Sequence, residues 1–514
     1  MEHPPEAVEG RVYIVGAGPG DPGLLTLKGA RLLAEADIVL YDDLIDRRLL
    51  EHTRPGCDLV AAGHRGGGSG RRQEELSRRL VAEARAGRRV VRLKGGDPYI
   101  FGRGGEEALA LAEAGVSFEV VCGVTAASGA PTYAGIPLTH RGLAAAAVLV
   151  TGHEDPSKPE SGVDWPRLAQ VPGTLVVFMG SRKVGAICEA LTAGGRAPET
   201  PAAAIQWGTW PRQKTVTATL ESLAGQVESV GLASPTLIVV GEVVGLQEKL
   251  SWFESRPLFG RRILITRSRE QAGPLRLMLE SEGAEVHLLP LLEIGPPDDW
   301  TALDGALSRL AGFAWVVFTS PNSVEFVHDR LRQLGRDSRA YGRARVAAVG
   351  LSTGQLLRER GIEPDLVPEV HSAAGLAAAF EAVDLTEAEV LLPASSIGRT
   401  ELDESLARRG ALVMRVTAYE NRPPDPASVE LPEALTGGRL DCAVFASPSS
   451  VRNFLAVTGR EAGLEHLRRL DVAAIGPTTA RAVADLGLPV AVQPGQSSVP
   501  ALVRALCEHY GGRR

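Results

Sequence analysis

Residues 91–107 read VRLKGGDPYIFGRGGEE. The apolar run of Val90, Val91 and Leu93 breaks at Lys94-Gly95-Gly96-Asp97-Pro98, and a helical pattern resumes near Glu106, so the stretch predicts strand, glycine turn, helix. Two adjacent glycines let the backbone approach a ligand with no Cβ in the way. Asp97 sets carboxylate acceptors at the carboxyl end of a strand, where open α/β sheets bind ligands. Any strand-to-helix turn favours Gly, Asp and Pro, so GGDP alone reads equally well as an ordinary loop.

Upstream, residues 12–15 form a short strand, followed by GAGPGDPGLLTLKGARLLAEA and a second strand at residues 38–41. This βαβ opening invites a dinucleotide reading, because Gly16 and Gly18 supply two glycines and Asp42 or Asp43 follows about twenty residues later. Asp21 argues against it: a carboxylate stands where a pyrophosphate would lie. Pro19 and Pro22 also remove two amides that would bind phosphate. A P-loop fails as well, since Gly23 is followed by Leu24 and not by lysine. The loop suits a ligand without phosphate.

With 514 residues the chain is long enough for roughly three or four domains. No apolar run approaches the ~18 to 20 residues of a membrane span. The opening MEHPPEAVEG lacks a signal-peptide pattern, so a cytoplasmic enzyme with a disordered lead over residues 1–10 is expected. Five scattered cysteines without a CxxC predict neither a disulfide framework nor a zinc site. A net charge of −7 argues against a broad nucleic-acid surface.

Together GAGPGDPGLLTLKG, YDDL, RLKGGDPYIFGRGGEE, VTAASGAPTYAGIPLTHRG and PTLIVVGEVVGLQEKLSWF resemble uroporphyrinogen-III C-methyltransferase, continuously over about residues 10–254. The resemblance implies two α/β lobes (about 11–142 and 143–253), a homodimer, and S-adenosyl-L-methionine bound between the lobes and released as S-adenosyl-L-homocysteine. The implied reaction methylates uroporphyrinogen III at C2 and C7 to precorrin-2, on the way to sirohaem or cobalamin. It further implies that Pro19, Gly95, Gly96, Asp97, Ile100, Thr125, Ala126, Met179 and Gly208 hold the cofactor. From its apolar run TLVVFMG, Met179 would instead be read as core.

Asp42 matches the carboxylate proposed as proton acceptor; alone it would be a solvated strand-end acid. The family's Gly-Lys-Arg, which supplies a proposed proton donor, is Gly63-His64-Arg65 here. His64 can donate a proton but reaches less far than lysine, so a substrate-orienting role is equally open. The glycine-rich residues 66–70 are read as a mobile lid. Arg103 and Arg141 are candidate partners for substrate carboxylates, with surface ion pairing as the ordinary alternative.

Arg256 and Pro257 break the chain and ILITR starts a new strand at Ile263, which places a linker at about residues 254–260. The second half, 261–514, contains a duplication. A shift of 127 residues sets ILITR (Ile263) over VLLPA (Val390), with Leu275 over Leu402, Gly283 over Gly410, and Glu293 over Glu420. The same shift sets VVFTSPNSV over AVFASPSSV, and a shift of 126 sets VAAVGLST (Val346) over VAAIGPTT (Val472). Alternating short apolar strands and helices predict a parallel sheet in each lobe. Ser320-Pro321 and Ser447-Pro448 read as N-cap and first helical residue. Such termini could face an acid-rich ligand or merely cap helices. Pro296-Pro297-Asp298 and Pro423-Pro424-Asp425 are taken as two crossings, giving one lobe at about 298–422 and another from 261–297 plus 423–514.

TRSREQAGPL, the FTSPNSV and FASPSSV pair, PASSIGR and IGPTTARAV make this half similar to uroporphyrinogen-III synthase, over about residues 261–510. That implies closure of hydroxymethylbilane to uroporphyrinogen III through a spiro intermediate that inverts ring D, a positioning problem above all. Tyr419 matches the tyrosine suggested to assist hydroxyl departure, and Thr319, Ser320, Ser447, Thr478 and Thr479 match positions around the cleft. In a strand pattern Tyr419 is also an ordinary packed aromatic. No metal is expected in either half. Two readings follow: a fused bifunctional enzyme, or a methyltransferase carrying a tetrapyrrole-binding sensor that does not turn its ligand over.

Overall fold

A computed structural model of the chain describes residues 10–63, 70–153, 162–396 and 400–512. The chain divides into two compact units, Met1–Arg261 with Leu279–Glu285 and Cys507–Arg514, and Arg262–Met278 with Val286–Leu506. Among the described residues no helix is long and apolar enough to cross a membrane.

The first unit holds two sheets. One contains β1 (Arg11–Gly16), β2 (Ile38–Tyr41), β3 (Asp58–Ala61), β4 (Arg89–Lys94) and β5 (Phe118–Val121) in the order β3-β2-β4-β1-β5. All of its pairings are parallel. Unbroken apolar runs suit strands covered on both faces. Tyr13, Val15, Val39, Val91 and Leu93 pack on one side with Leu32 and Leu33, while Val12, Ile14, Ile38, Leu40 and Val90 pack on the other with Leu80 and Leu111. Side chains on a strand alternate between faces, so Arg92 and Lys94 of β4 fall on the Val90 face, beneath the helix Gly104–Glu113.

The second sheet contains β6 (Ala147–Thr151), β7 (Thr174–Phe178), β8 (Pro201–Gln206), β9 (Lys214–Thr219) and β10 (Thr236–Val240) in the order β6-β7-β10-β8-β9. Only β6 and β7 pair in parallel; β10 runs antiparallel to both neighbours, and β8 and β9 are antiparallel. Ala127, Ala130 and Ala134 of the helix Ala126–Ala134 pack with Val176, Ala203, Ile205 and Val239 on one face of this sheet.

The second unit also holds two sheets. β11 (Arg262–Ile265), β12 (Glu285–Leu288), β18 (Cys442–Phe445) and β19 (Asp471–Ala474) run in the order β12-β11-β18-β19. β13 (Glu293–Gly295), β14 (Trp315–Phe318), β15 (Arg345–Ala348), β16 (Glu389–Ser395) and β17 (Leu412–Arg422) run in the order β13-β17-β16-β14-β15. Under the repeat, β11, β12, β14 and β15 correspond to β16, β17, β18 and β19. Each sheet therefore joins the opening strands of one copy to the closing strands of the other.

One strand departs from the parallel sheet expected in each lobe. β13 pairs antiparallel with the far end of β17, Glu293 opposite Arg422 and Gly295 opposite Glu420. The cause is the exchange itself: the outgoing crossing lies beside the returning one and runs against it. Arg422 then pairs with Asp298 at 2.5 Å across the two crossings.

Candidate functional site

Three backbone segments meet at the carboxyl edge of the β1–β5 sheet because glycines leave no side chains between them. Gly18 N donates to Gly96 O at 3.2 Å, and Gly96 N to Gly18 O at 2.8 Å. A Cβ on Gly16 would lie 2.5 Å from Gly123 N and 2.7 Å from Gly96 O, closer than atoms pack. Asp97 locks the junction, its Oδ1 accepting from Tyr99 N at 2.8 Å and its Oδ2 from Gly123 N at 3.0 Å. Gly95 is left clear, with only the Leu44 Cβ near its missing side chain, at 3.6 Å.

The second sheet closes on these loops. A Cβ on Gly208 would lie 2.2 Å from the Ala130 Cβ, so glycine lets this loop sit against the helix that Thr125 caps. Ala126 begins that helix beside Gly96. Trp210 Nε1 donates to Pro19 O at 3.2 Å, and Asp21 N donates to Thr209 Oγ1 at 3.0 Å. The Asp21 carboxylate accepts from Gly23 N at 2.8 Å and from the Tyr133 hydroxyl at 2.6 Å. Burial, reinforced by that carboxylate, raises the Tyr133 pKa and keeps the phenol protonated. Met179 is 52 % exposed, which overturns a core reading of its apolar run. Its neighbour Phe178 packs on Phe101 at 4.9 Å, which brings the end of β7 to the loop that carries Ile100. Left-handed backbone at Phe101, Arg103, Met179, Trp207 and Thr209 is gathered on these loops. Each such residue costs on the order of 1 kcal/mol or more, and such strain clusters where a surface is shaped for a ligand.

Beneath the cleft lies a charged cluster that the sequence patterns do not single out. Arg92 and Glu107 are almost wholly buried, as is Lys94. Glu107 Oε1 accepts from Arg92 Nε at 3.2 Å, Lys94 Nζ at 3.0 Å and Gln73 Nε2 at 3.0 Å. Arg92 also hydrogen-bonds Asp42 Oδ1, while Asp42 Oδ2 accepts from Gly95 N at 3.3 Å. Burial opposes the charge of both cations. For Arg92 the two carboxylates outweigh it and the pKa is raised; for Lys94 burial, with the neighbouring guanidinium, wins and the pKa is lowered. The visible signal was two cations, two residues apart, following the apolar pair Val90 and Val91 in β4.

Other expected residues stand apart. Arg103 pairs with Glu106 at 2.7 Å on the helix surface, the ordinary alternative for that residue. Arg141 is exposed and makes no ion pair among the described residues. His64 and most of the glycine-rich stretch after it lie outside the described residues. Among those described, no group of His, Cys, Asp and Glu could hold a metal ion.

In the second unit, Ser320 caps the helix Pro321–Gln333, its Oγ accepting from Ser323 N at 3.1 Å. The Tyr419 hydroxyl lies 3.1 Å from the same Oγ. The Tyr419 ring is buried and stacks on Phe326 with centroids 5.8 Å apart. Tyr419 is thus both packed aromatic and polar partner of Ser320, with Thr319 one residue before. Ser447 caps Pro448–Thr458 in a reciprocal capping box with Ser450. β18 and β19 are adjacent, so Ser447 and the exposed Thr478 leave the same sheet edge. Thr479 is buried at 2 % exposure, unlike its neighbour Thr478.

Comparisons with known proteins follow this division. A family model described as tetrapyrrole (corrin/porphyrin) methylases matches residues 11–224, and one described as uroporphyrinogen-III synthase HemD matches residues 274–504. The chain is 34 % identical over 516 residues to the porphyrin biosynthesis protein HemD of Ruminiclostridium josui, covering 100 % of this chain and 99 % of that one. It is 42 % identical over 315 residues to the uroporphyrinogen-III C-methyltransferase of Bacillus subtilis, covering 61 % of this chain and 64 % of the relative. A crystal structure of the uroporphyrin-III C-methyltransferase of Thermus thermophilus, complexed with S-adenyl homocysteine, is 46 % identical, with a TM-score of 0.39. It covers 46 % of this chain and 93 % of that one.

Proposed function

The chain belongs to the porphyrin biosynthesis proteins in which a tetrapyrrole methylase is joined to a uroporphyrinogen-III synthase, and on that premise we propose that it catalyses two consecutive steps. The second half, about residues 261–514, closes hydroxymethylbilane to uroporphyrinogen III with ring D inverted. The first half, about residues 11–253, methylates that product at C2 and C7 to precorrin-2.

The observation that carries the methylation is the Asp42 carboxylate, placed between Arg92 and the Gly95 amide at the mouth of the glycine cleft. The cleft fits S-adenosylmethionine: Gly95 is open, Met179 is exposed, and the carboxylates at Asp21 and Asp97 suit a cation better than a pyrophosphate. Pro19, Gly95, Gly96, Asp97, Ile100, Thr125, Ala126, Met179 and Gly208 would hold the cofactor, which supplies a methyl group carried on sulfonium. Asp42 takes the proton that the macrocycle releases as its ring carbon gains the methyl group, and Arg92 keeps the carboxylate aimed. Arg141 reaches the substrate's carboxylates, and His64 either donates a proton or orients the substrate.

In the second half, Tyr419 donates a hydrogen bond to the departing hydroxyl, and Ser320 fixes the phenol's direction. The helix termini at Ser320 and Ser447 hold carboxylates of the linear chain so that closure with inversion outruns direct closure. The first half pairs with a second copy in a homodimer.

The test gives the full chain each substrate separately. Uroporphyrinogen III with labelled S-adenosylmethionine is expected to take up two methyl groups per macrocycle, and hydroxymethylbilane alone to give the type III isomer. Tight binding of the tetrapyrrole with only the spontaneous type I product would replace the synthase assignment with a sensor module.

A further inference from the structure

The buried charges under the cleft are not arranged for stability alone. Replacing a buried ion network by apolar groups of similar volume is commonly neutral or stabilising, because desolvating the charges offsets their attraction. In this network Glu107 Oε2 is buried with no hydrogen-bond partner, while Oε1 alone takes Arg92, Lys94 and Gln73. A carboxylate with one idle oxygen wastes acceptor capacity. Apart from the Gln73 amide, the bonding is directed towards β4 and, through Arg92, on to Asp42. Arg92 has no slack, since Nη1 also donates to Leu40 O and Leu93 O, both at 3.3 Å. Asp42 is then gripped from both sides, by the guanidinium at Oδ1 and the Gly95 amide at Oδ2.

We infer that Glu107, with Lys94, is a positioning residue for the methylation: it holds the Arg92 guanidinium, which fixes the Asp42 carboxylate against the loop that receives the cofactor. The inference rests on Asp42 being the proton acceptor. Glu107 touches neither cofactor nor substrate, and it acts only through Asp42. Misplacing a catalytic group by about 1 Å costs on the order of a hundredfold in rate, which sets the expected size of the effect.

The experiment is a double-mutant cycle in the full chain with E107Q, D42N and both together. It measures kcat for methyl transfer under saturating substrates, S-adenosylhomocysteine affinity by calorimetry, and hydroxymethylbilane cyclisation as a check on folding elsewhere in the chain. E107Q is expected to lower kcat by about a hundredfold with the affinity and the cyclisation unchanged. In the D42N background, followed by single turnover, E107Q is expected to cost nothing further. R92K, which keeps the charge but removes the fork that joins Glu107 to Asp42, should cost at least as much as E107Q, and a smaller loss than E107Q overturns the inference. Wild-type kcat in E107Q overturns the inference, as does an equal loss with and without Asp42. A fall in S-adenosylhomocysteine affinity matching the fall in rate also overturns it, because it marks a loosened loop. Full activity in D42N removes the premise instead, and does so before E107Q enters.

Discussion

At the scale of single residues, the environments of Met179, Tyr419 and His328 show what sequence pattern conceals. Met179 ends an apolar run and would pass for core, yet the left-handed turn after β7 leaves it exposed. Tyr419 sits in a strand and is packed, but its hydroxyl meets Ser320. Arg92, Lys94 and Glu107 escaped pattern reading because their meaning lies in a contact between a strand and a helix, which spacing along the chain does not record. Asp42 and the glycine loops could be singled out from sequence because long local motifs carry them, whereas His64 lies outside the described residues. Asp42→Asn is expected to cut methyl transfer by about a hundredfold or more, in keeping with loss of a general base, while hydroxymethylbilane cyclisation is unaffected.

His328 gives a pH prediction. It is buried with its Nε2 3.2 Å from the Tyr341 hydroxyl. Burial first, then the charges of Arg360 and Arg332, push its pKa from 6.5 down to about 4. A base whose folded pKa is depressed binds fewer protons folded than unfolded. Its stabilising contribution is therefore full above pH 6.5 and is lost as pH falls towards 4. The total is on the order of 3 kcal/mol. Urea titrations of the unit carrying His328 should show stability falling more steeply between pH 6.5 and 4.5 in the wild type than in His328→Gln. Equal slopes would exclude this histidine as the cause.

At the scale of elements, the duplication was readable because the two copies keep the same residues at matching places, such as Ser320-Pro321 and Ser447-Pro448. The exchange of strands between copies follows from where the two proline-bearing crossings fall. Strand direction was not readable: periodicity reports which face is buried and says nothing of the neighbour's direction, so the antiparallel β13 and the mixed β6–β10 sheet emerge only from the pairing. Two glycines on elements near each other in sequence make opposite predictions. Gly208→Ala drives a Cβ to 2.2 Å from the Ala130 Cβ, and should lower stability by about 1–3 kcal/mol and weaken S-adenosylhomocysteine binding. Gly225, exposed in the helix Leu223–Val230, has nothing within 4 Å of its missing Cβ. Gly225→Ala should raise stability by about 0.5–1 kcal/mol with binding unchanged. Thermal melts with and without S-adenosylhomocysteine check both.

At the scale of the whole molecule, the family and the two-part division were legible from motifs distributed along the chain. Phe253 and Leu258, next to or within the stretch taken as a linker, are buried, which a reading of chain breaks does not record. With the two reactions in the proposed order, joining them in one chain would raise the effective concentration of a labile intermediate for the step that consumes it. The most direct test supplies the purified chain with hydroxymethylbilane, with and without S-adenosylmethionine, and resolves the products by isomer and methyl count. Uroporphyrinogen III without the methyl donor and precorrin-2 with it are the expected outcome. Accumulation of the type I isomer alone, with or without the donor, would contradict the two-step assignment.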